Sequence, residues 1–300
     1  MTDATATSPD LHSLVDDTYA EGFRSLYGEV LITARDRKWL DHATAAACGH
    51  ASSTILCDCE AGVAELIPPE DTPDGRLGAV VQFHVPRFRK DRKEHLEKVM
   101  LARLSQNVLT CPTARCFNRL DTESYFKLGR KIAFFGDRHQ FRDERFGHLG
   151  WVIPILGGEF FLSRRFGMAD GVMGGNLWFF GPSEAIALEA AEAAADAAAS
   201  VPGCIEPFPG GIAASGSKAG SSYDFTIAST YAEYCPTLKD KLGDDSKVPD
   251  GVTSIMELIL NGTSLDALKA GTAAAIHAAA RVPGLIRISA GNYGGRLGKS

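Results

Sequence analysis

At 300 residues, 45% apolar and 23% charged, the chain carries enough hydrophobic material for two packed lobes and the charge content of an ordinary globular protein. A formal net charge of −6 argues against general attraction to nucleic acid, and no apolar run approaches the roughly 20 residues of a membrane span. Seven cysteines, with no secretion leader in MTDATATSPDLHS, point to a reducing, cytoplasmic compartment and to buried, inert thiols.

In chain order, residues 1–16 are polar and small and are expected to form a flexible tail. Residues 17–150 read as an N-terminal lobe. Strand EVLITA (29–34) leads into a helix from Asp36 to Cys48 and a strand STILC (53–57). The turn chemistry of PPEDTPDG (68–75) follows, then strand GAVVQFH (78–84), a helix from about Asp91 to Ser105, and strand NVLT (107–110). A charged, aromatic connector (117–150) closes this half, with basic residues at 138–145 suited to a partner contact. Residues 151–300 read as a second lobe, opening on the hairpin WVIPILGGEFFL, turned at Gly157-Gly158.

That second half repeats itself. A shift of 81 positions lays Leu177 on Leu258, Gly181 on Gly262, Ser183 on Ser264, Val201-Pro202-Gly203 on Val282-Pro283-Gly284 and Gly210 on Gly291. Each copy is an apolar run, a Gly turn, a serine suited to cap a helix, an alanine-rich helix ended by Val-Pro-Gly, and a second strand. Two β-α-β units in tandem make the split β-α-β arrangement of a ferredoxin-like lobe. The expected fold is α+β: two ferredoxin-like lobes, antiparallel sheets covered by helices.

Several chemical motifs can be set aside. Cys57 and Cys59 stand too close for a structural zinc pair and no histidine pair completes a set, so no metal is expected. GIAASGSK (211–218) resembles a phosphate loop but has Ser217 where the lysine belongs. His277 lies on an alanine-rich helix and reads as a packed or surface residue. One carboxylate stands out. Glu257 interrupts the apolar strand SIMELIL (254–260) and shares a face with Ile255 and Ile259. Desolvation there raises its proton affinity toward neutrality. The repeat places Asn176 at the equivalent position. A second candidate is the segment 207–225, continuing to 237, whose glycines, hydroxyls and single lysine suit close approach to a polar ligand. Its candidates are Pro209, Gly210, Gly211, Ser215, Ser217, Lys218 and Ser221, with Asn292 in the counterpart SAGNYGG (289–295). A lone carboxylate in a strand also fits a structural ion pair, and a Gly/Ser-rich segment also fits a plain loop.

At these residues the chain resembles the formylmethanofuran–tetrahydromethanopterin formyltransferases. The resemblance runs from DTYAEGF (17–23) to GNYGGRLG (291–298) through KW at 38–39, PPEDTPDGR, CPTA, FFGD (134–137), GVMGGN (171–176), PFPGGIAAS, SKAGSSYDF, YCPT and ISAGN. It implies two ferredoxin-like lobes and exchange of a formyl group between N5 of a tetrahydromethanopterin and the amine of a methanofuran or methylofuran. Both carriers are substrates, with no tightly bound cofactor. It matches Glu257 to the family's proposed catalytic glutamate and makes Lys218 a steering charge for the carriers' anionic tails. It also implies a homo-oligomer, with hydrolase subunits as further partners in methylotrophic relatives. The alternatives are a non-catalytic scaffold that holds the furan carrier and an RNA-binding module, for which the net charge and a stacking strand motif are lacking.

Overall fold

The computed structural model describes residues 11–294. Residues 1–10 of the expected tail and the 295–298 end of the family motif lie outside the described residues. The N-terminal half runs α1 (Leu11–Leu14), β1 (Phe23–Thr33), α2 (Arg37–Cys48), β2 (Glu60–Ile67), β3 (Gly78–Pro86), α3 (Arg92–Arg103) and β4 (Arg115–Asn118). It continues through β5 (Tyr125–Phe126), α4 (Leu128–Ala133), β6 (Phe141–Arg145), β7 (His148–Ile155), β8 (Gly158–Ser163) and β9 (Phe166–Gly167). The C-terminal half has β10 (Ala169–Gly181), α5 (Glu184–Ala199), β11 (Cys204–Ile205), β12 (Ile212–Ala213), β13 (Lys218–Ala219) and β14 (Ala228–Ser229). It ends with α6 (Lys239–Leu242), β15 (Ser254–Gly262), α7 (Leu265–Ala279) and β16 (Arg287–Ser289).

Each half contains a β-α-β-β-α-β unit with the same strand order. In the first, β1 lies between β4 and β3, and β3 pairs with β2. In the second, β10 lies between β16 and β15, and β15 pairs with β11. Both are antiparallel, ferredoxin-like sheets. The start of β1 also pairs with the start of β10, Phe23 opposite Met173 through Tyr27 opposite Ala169, so the two sheets join along one edge. The helix-covered face of the first lobe buries Val30, Ile32, Val81, Phe83, Leu96 and Met100. In the second, the alanines of α5 and α7 let the helices sit close over Leu177, Phe179, Leu258 and Leu260.

The repeat syntax holds in detail. The Ser183 hydroxyl accepts the Ile186 N–H at 3.3 Å and the Ser264 hydroxyl accepts the Ala267 N–H at 3.1 Å. Asp36 caps α2 through the Trp39 N–H. Because the cap satisfies an orphan amide, Ser183→Ala is expected to lower stability by about 1 kcal/mol, read as a lower urea midpoint. An unchanged midpoint would show that packing of α5 alone holds its first turn.

Three expectations about local structure need correction. The segment 53–57 is a turn, not a strand: Cys57 N–H bonds to Ser53 O, while Thr54 donates from backbone and hydroxyl to Glu60 Oε1. Local polar bonds outweigh the β-branched pair Thr54-Ile55. The real strand, EAGVAELI (60–67), has helix-forming composition and becomes a strand because β3 beside it is buried over its whole length. Residues 107–110 are not a strand either, since Leu104–Val108 extends α3 in a wide turn closed by Leu109 N–H to Leu104 O, and the strand comes at 115–118. Residues 11–16 are no loose tail: Leu11, Leu14 and Val15 pack on the second core and Asp16 N–H bonds to Ile288 O.

The division at 150/151 cuts β7 in two. The β6–β8 hairpin arm belongs with the first lobe, joined by β8 to β4 and burying Ile153, Phe160 and Leu162 in its core. Its β7–β8 turn is Leu156-Gly157, with Ile155 opposite Gly158. Among the described residues, no helix is long and apolar enough to cross a membrane and no group of three or more His, Cys, Asp or Glu could hold a metal.

Candidate active site

Alternation along β15 sends Met256, Leu258 and Leu260 into the helix-side core and turns Glu257 with Ile255 to the opposite, helix-free face. On that face Trp178 of β10 stands directly across from Glu257, and Ala213 of β12 flanks it on the other side. The chain leaves β12 into Ala214-Ser215-Gly216-Ser217 and so lays the glycine-rich loop over the carboxylate.

Glu257 is 2% exposed. Its Oε1 accepts the indole N–H of Trp178 at 2.9 Å and the Asn176 side-chain amide at 3.1 Å. Oε2 closes no well-aligned hydrogen bond, although the hydroxyl and backbone N–H of Ser217 lie close enough to the carboxylate to oppose its protonation. Burial pushes the Glu257 carboxyl above the ordinary range, and the donors from Trp178, Ser217 and Asn176 hold it back in part. The carboxylate is thus buried in the wall of a cavity, with one oxygen fixed and the other without a hydrogen-bond partner.

That cavity, about 170 Å³, is walled by Glu257, Trp178, Ile255, Tyr231, Tyr234, Cys235 and the 213–216 loop. The Tyr231 and Tyr234 rings meet Trp178 edge-on at centroid distances of 4.8 and 4.7 Å. Gly216 makes the closure possible. Its φ of +72° suits glycine, and a Cβ there would stand 2.8 Å from the Tyr231 ring. Ser215, Gly216 and Thr230 separate the small cavity from an adjoining groove of about 510 Å³ between the lobes. One wall is Ser217, Lys218, Phe208 and Ala228–Thr230; the other is the first lobe's turn at His50 to Cys57. This volume falls in the range of small-molecule sites.

The sequence candidates separate into three groups. Glu257, Ser215, Ser217 and Lys218 come together at the cavity and groove. Asn176 is a support, not a wall: its amide nitrogen holds Glu257 while its Oδ1 accepts the Gly291 N–H at 3.1 Å. Gly291 has no room for a side chain there, since a Cβ would lie 2.8 Å from that amide nitrogen. The third group lies elsewhere. Pro209 borders a separate cavity with Glu206, Gly210 is open to solvent, and Gly211 packs against Glu206. Ser221 caps its own turn by accepting the Tyr223 N–H, and the exposed Asn292 donates to the Thr18 hydroxyl. These five were chosen for composition, but the Pro209–Gly211 turn bends the chain before it reaches Glu257.

Trp178 and the turn 50–57 are not among the sequence candidates, whereas Tyr231 and Tyr234 lie within the candidate stretch 207–237 without being singled out in it. Trp178 was detectable, being two residues from Asn176 and hence on the same strand face. The turn was hidden by its misreading as a strand. The cysteines need a partial correction as well. Cys59, Cys116 and Cys204 are buried, and burial raises their thiols, Cys204 to about 11. Cys57 and Cys235 are only half-buried and line the groove and the cavity. Lys218 sits over the Tyr231 ring at 6.0 Å and 3.9 Å from Glu233, at the mouth of the groove.

Two ferredoxin-like lobes around a desolvated carboxylate, beneath a glycine-rich loop, are the frame of a group-transfer enzyme. Residues 12–155 match the family model described as formylmethanofuran-tetrahydromethanopterin formyltransferase, and residues 158–300 match the one described as FTR, proximal lobe. The formyltransferase of that name from Methanocaldococcus jannaschii is 44% identical over 290 residues, covering 95% of this chain and 94% of the relative. The solved enzyme from Methanosarcina barkeri is 41% identical, with a TM-score of 0.91 over 97% of each chain. A chain of the formyltransferase/hydrolase complex from Methylorubrum extorquens, solved with methylofuran, is 36% identical, with a TM-score of 0.88 over 95% of this chain and 94% of that one. The chain belongs to the formylmethanofuran–tetrahydromethanopterin formyltransferase family.

Proposed function

We propose that this protein moves a formyl group between N5 of tetrahydromethanopterin and the primary amine of methanofuran or methylofuran, with Glu257 as the proton carrier. The observation that carries the proton role is the Glu257 carboxylate itself, fixed through Oε1 and unpaired at Oε2 beside the cavity. The neutral amine attacks the formyl carbon, the C=O pair moves to oxygen, and Glu257 takes the proton lost by the attacking nitrogen. The C–N5 bond then breaks, the carbonyl re-forms, and Glu257 returns the same proton to N5. Backbone N–H groups of the 214–217 loop are the candidates to receive the oxyanion, apart from that of Gly216, which already donates to Ala213 O at 3.0 Å. Asn176 is not one, because it stands behind Glu257 and does not line the cavity. Lys218 at the groove mouth fits the anionic tails of the carriers.

A scaffold that only held a carrier would need a groove but no carboxylate kept at this desolvation cost. Purified protein given the formylated furan carrier and the tetrahydropterin is expected to exchange the formyl group catalytically. Carrier binding without exchange would support the scaffold.

Association with copies of itself or with hydrolase subunits, in the cytoplasm, fits the arm of the first lobe. There Phe134, Phe135, Phe141, Leu149 and Leu156 are exposed around the sheet's edge strand β6, beside the basic 138–145 stretch.

A further inference from the structure

A chain of hydroxyl groups leads away from Glu257. The Ser217 hydroxyl lies beside both the Glu257 carboxylate and the Tyr231 hydroxyl. Tyr231 Oη is 2.8 Å from Tyr293 Oη, and Tyr293 Oη accepts the backbone N–H of Ala219 at 3.0 Å. The backbone of Tyr293 is pinned as well, its N–H donating to Glu21 Oε1 at 2.6 Å. The two ends of the chain set its direction. An amide N–H only donates and an ionised carboxylate only accepts. At rest, therefore, Tyr293 donates to Tyr231, Tyr231 to Ser217, and Ser217 toward Glu257.

We propose that Ser217, Tyr231 and Tyr293 form a proton relay that connects the buried Glu257 with solvent. The inference rests on the reading of Glu257 as the proton carrier. Formyl exchange moves one proton from nitrogen to nitrogen and so needs no exit by itself. An alkylamine, however, is an ammonium ion near neutral pH, and it brings one proton more than the exchange can use. Glu257 is 2% exposed, and a carrier seated in the cavity covers its one open side, so this surplus proton needs another path.

In the relay, the ammonium N–H bond breaks and Glu257 gains an O–H. Glu257 passes that proton to Ser217 Oγ, Ser217 passes its own to Tyr231 Oη, Tyr231 to Tyr293 Oη, and Tyr293 releases its own to water. Each hydroxyl loses one O–H bond and gains one. For this outward passage the hydroxyls first rotate to point away from Glu257; the hops return each O–H to its inward direction, leave the amine neutral and make Glu257 a carboxylate again. Transfer in the opposite direction uses the same path inward. Burial and the neighbouring Glu257 charge push the Tyr231 phenol far above its ordinary range, so the shift passes along the chain without a phenolate. Both links through Ser217, to Oε2 and to Tyr231 Oη, are loose, because its hydroxyl is near each without a well-aligned bond to either. Such a link switches by rotation of one side chain.

The ionisable groups facing the relay are Glu257 on β15, Tyr234 and Cys235 on the cavity wall, Lys218 and Glu233 around the Tyr231 ring, and Glu21 against Tyr293. None loses its charge in Tyr231→Phe or Tyr293→Phe, which keep the rings and remove one hydroxyl each. In full-length protein carrying either variant, kcat for transfer to the amine is expected to fall at least ~10-fold. That is less than the ~100-fold of a direct proton donor or acceptor, because a water can bridge the gap. The loss should be greatest at the lower pH values, where the amine is most fully protonated, with KM within about two-fold and a changed solvent deuterium isotope effect on kcat. A Tyr231→Phe protein with wild-type kcat and an unaltered pH profile overturns the relay, as does a change confined to KM. Should Tyr231→Phe fail to fold, Tyr293→Phe decides by the same criteria. A live Glu257→Gln enzyme refutes the underlying reading, whereas a dead Glu257→Gln beside a fully active Tyr231→Phe refutes the relay alone.

Discussion

Replacing Glu257 by Gln is expected to reduce formyl transfer by ~100-fold or more, about 2.7 kcal/mol of transition-state stabilisation, while carrier binding is kept. Glutamine has the same length, and its Oε1 accepts from Trp178 and Asn176 as the carboxylate does. The amide nitrogen then occupies the place of Oε2 at the cavity, where it has no basicity. A buried ionisable group is removed at the same time, so the melting temperature should be unchanged or higher. Single-turnover rates with saturating carriers, beside thermal unfolding of the same sample, separate lost chemistry from lost fold. A folded Glu257→Gln protein that turns over at the wild-type rate ends the assignment.

Trp178→Phe is expected to move the acid limb of the rate profile. Transfer needs Glu257 as a carboxylate, whose proton affinity is already raised by burial, so activity falls as pH drops through that raised value. The Trp178 N–H is the leading donor that opposes protonation. Losing a hydrogen bond to a charged group costs about 1.5–3 kcal/mol, or about 1–2 pH units at 1.36 kcal/mol per unit. The sign follows directly: the charged form loses support, its pKa rises, and at any pH on the acid side less carboxylate is present. On the acid limb itself the rate should fall about 10-fold or more, the lost hydrogen bond expressed as a fold-change, with recovery at higher pH. The plot of kcat against pH reads this, and an acid limb that stays where it is in the wild type excludes Trp178 as the residue that keeps Glu257 ionised.

The C-terminal lobe was legible because it is written twice. Ser183 and Ser264 cap their helices, both Val-Pro-Gly turns end them, and the 81-residue offset that pairs Asn176 with Glu257 reappears as their direct hydrogen bond. The N-terminal lobe was legible in class but not in strand position. Thr54-Ile55 and Val108-Leu109 carry β-type side chains in local turns, whereas EAGVAELI carries helix-type side chains in a true strand. Propensity is worth a few tenths of a kcal/mol per residue and yields to pairing with a fully buried neighbour such as β3.

Strand alternation and helix punctuation act over a few residues, and they are enough to set the α+β class, the repeated unit, and the one acid placed among hydrocarbon neighbours. The surroundings of that acid depend on long-range packing. Trp178 arrives from the adjacent strand, Tyr231 and Tyr293 meet from positions 62 residues apart, and the turn 50–57 crosses from the other lobe to wall the groove. Contacts of that separation depend on how sheets join and loops return, and no local pattern in the chain encodes them.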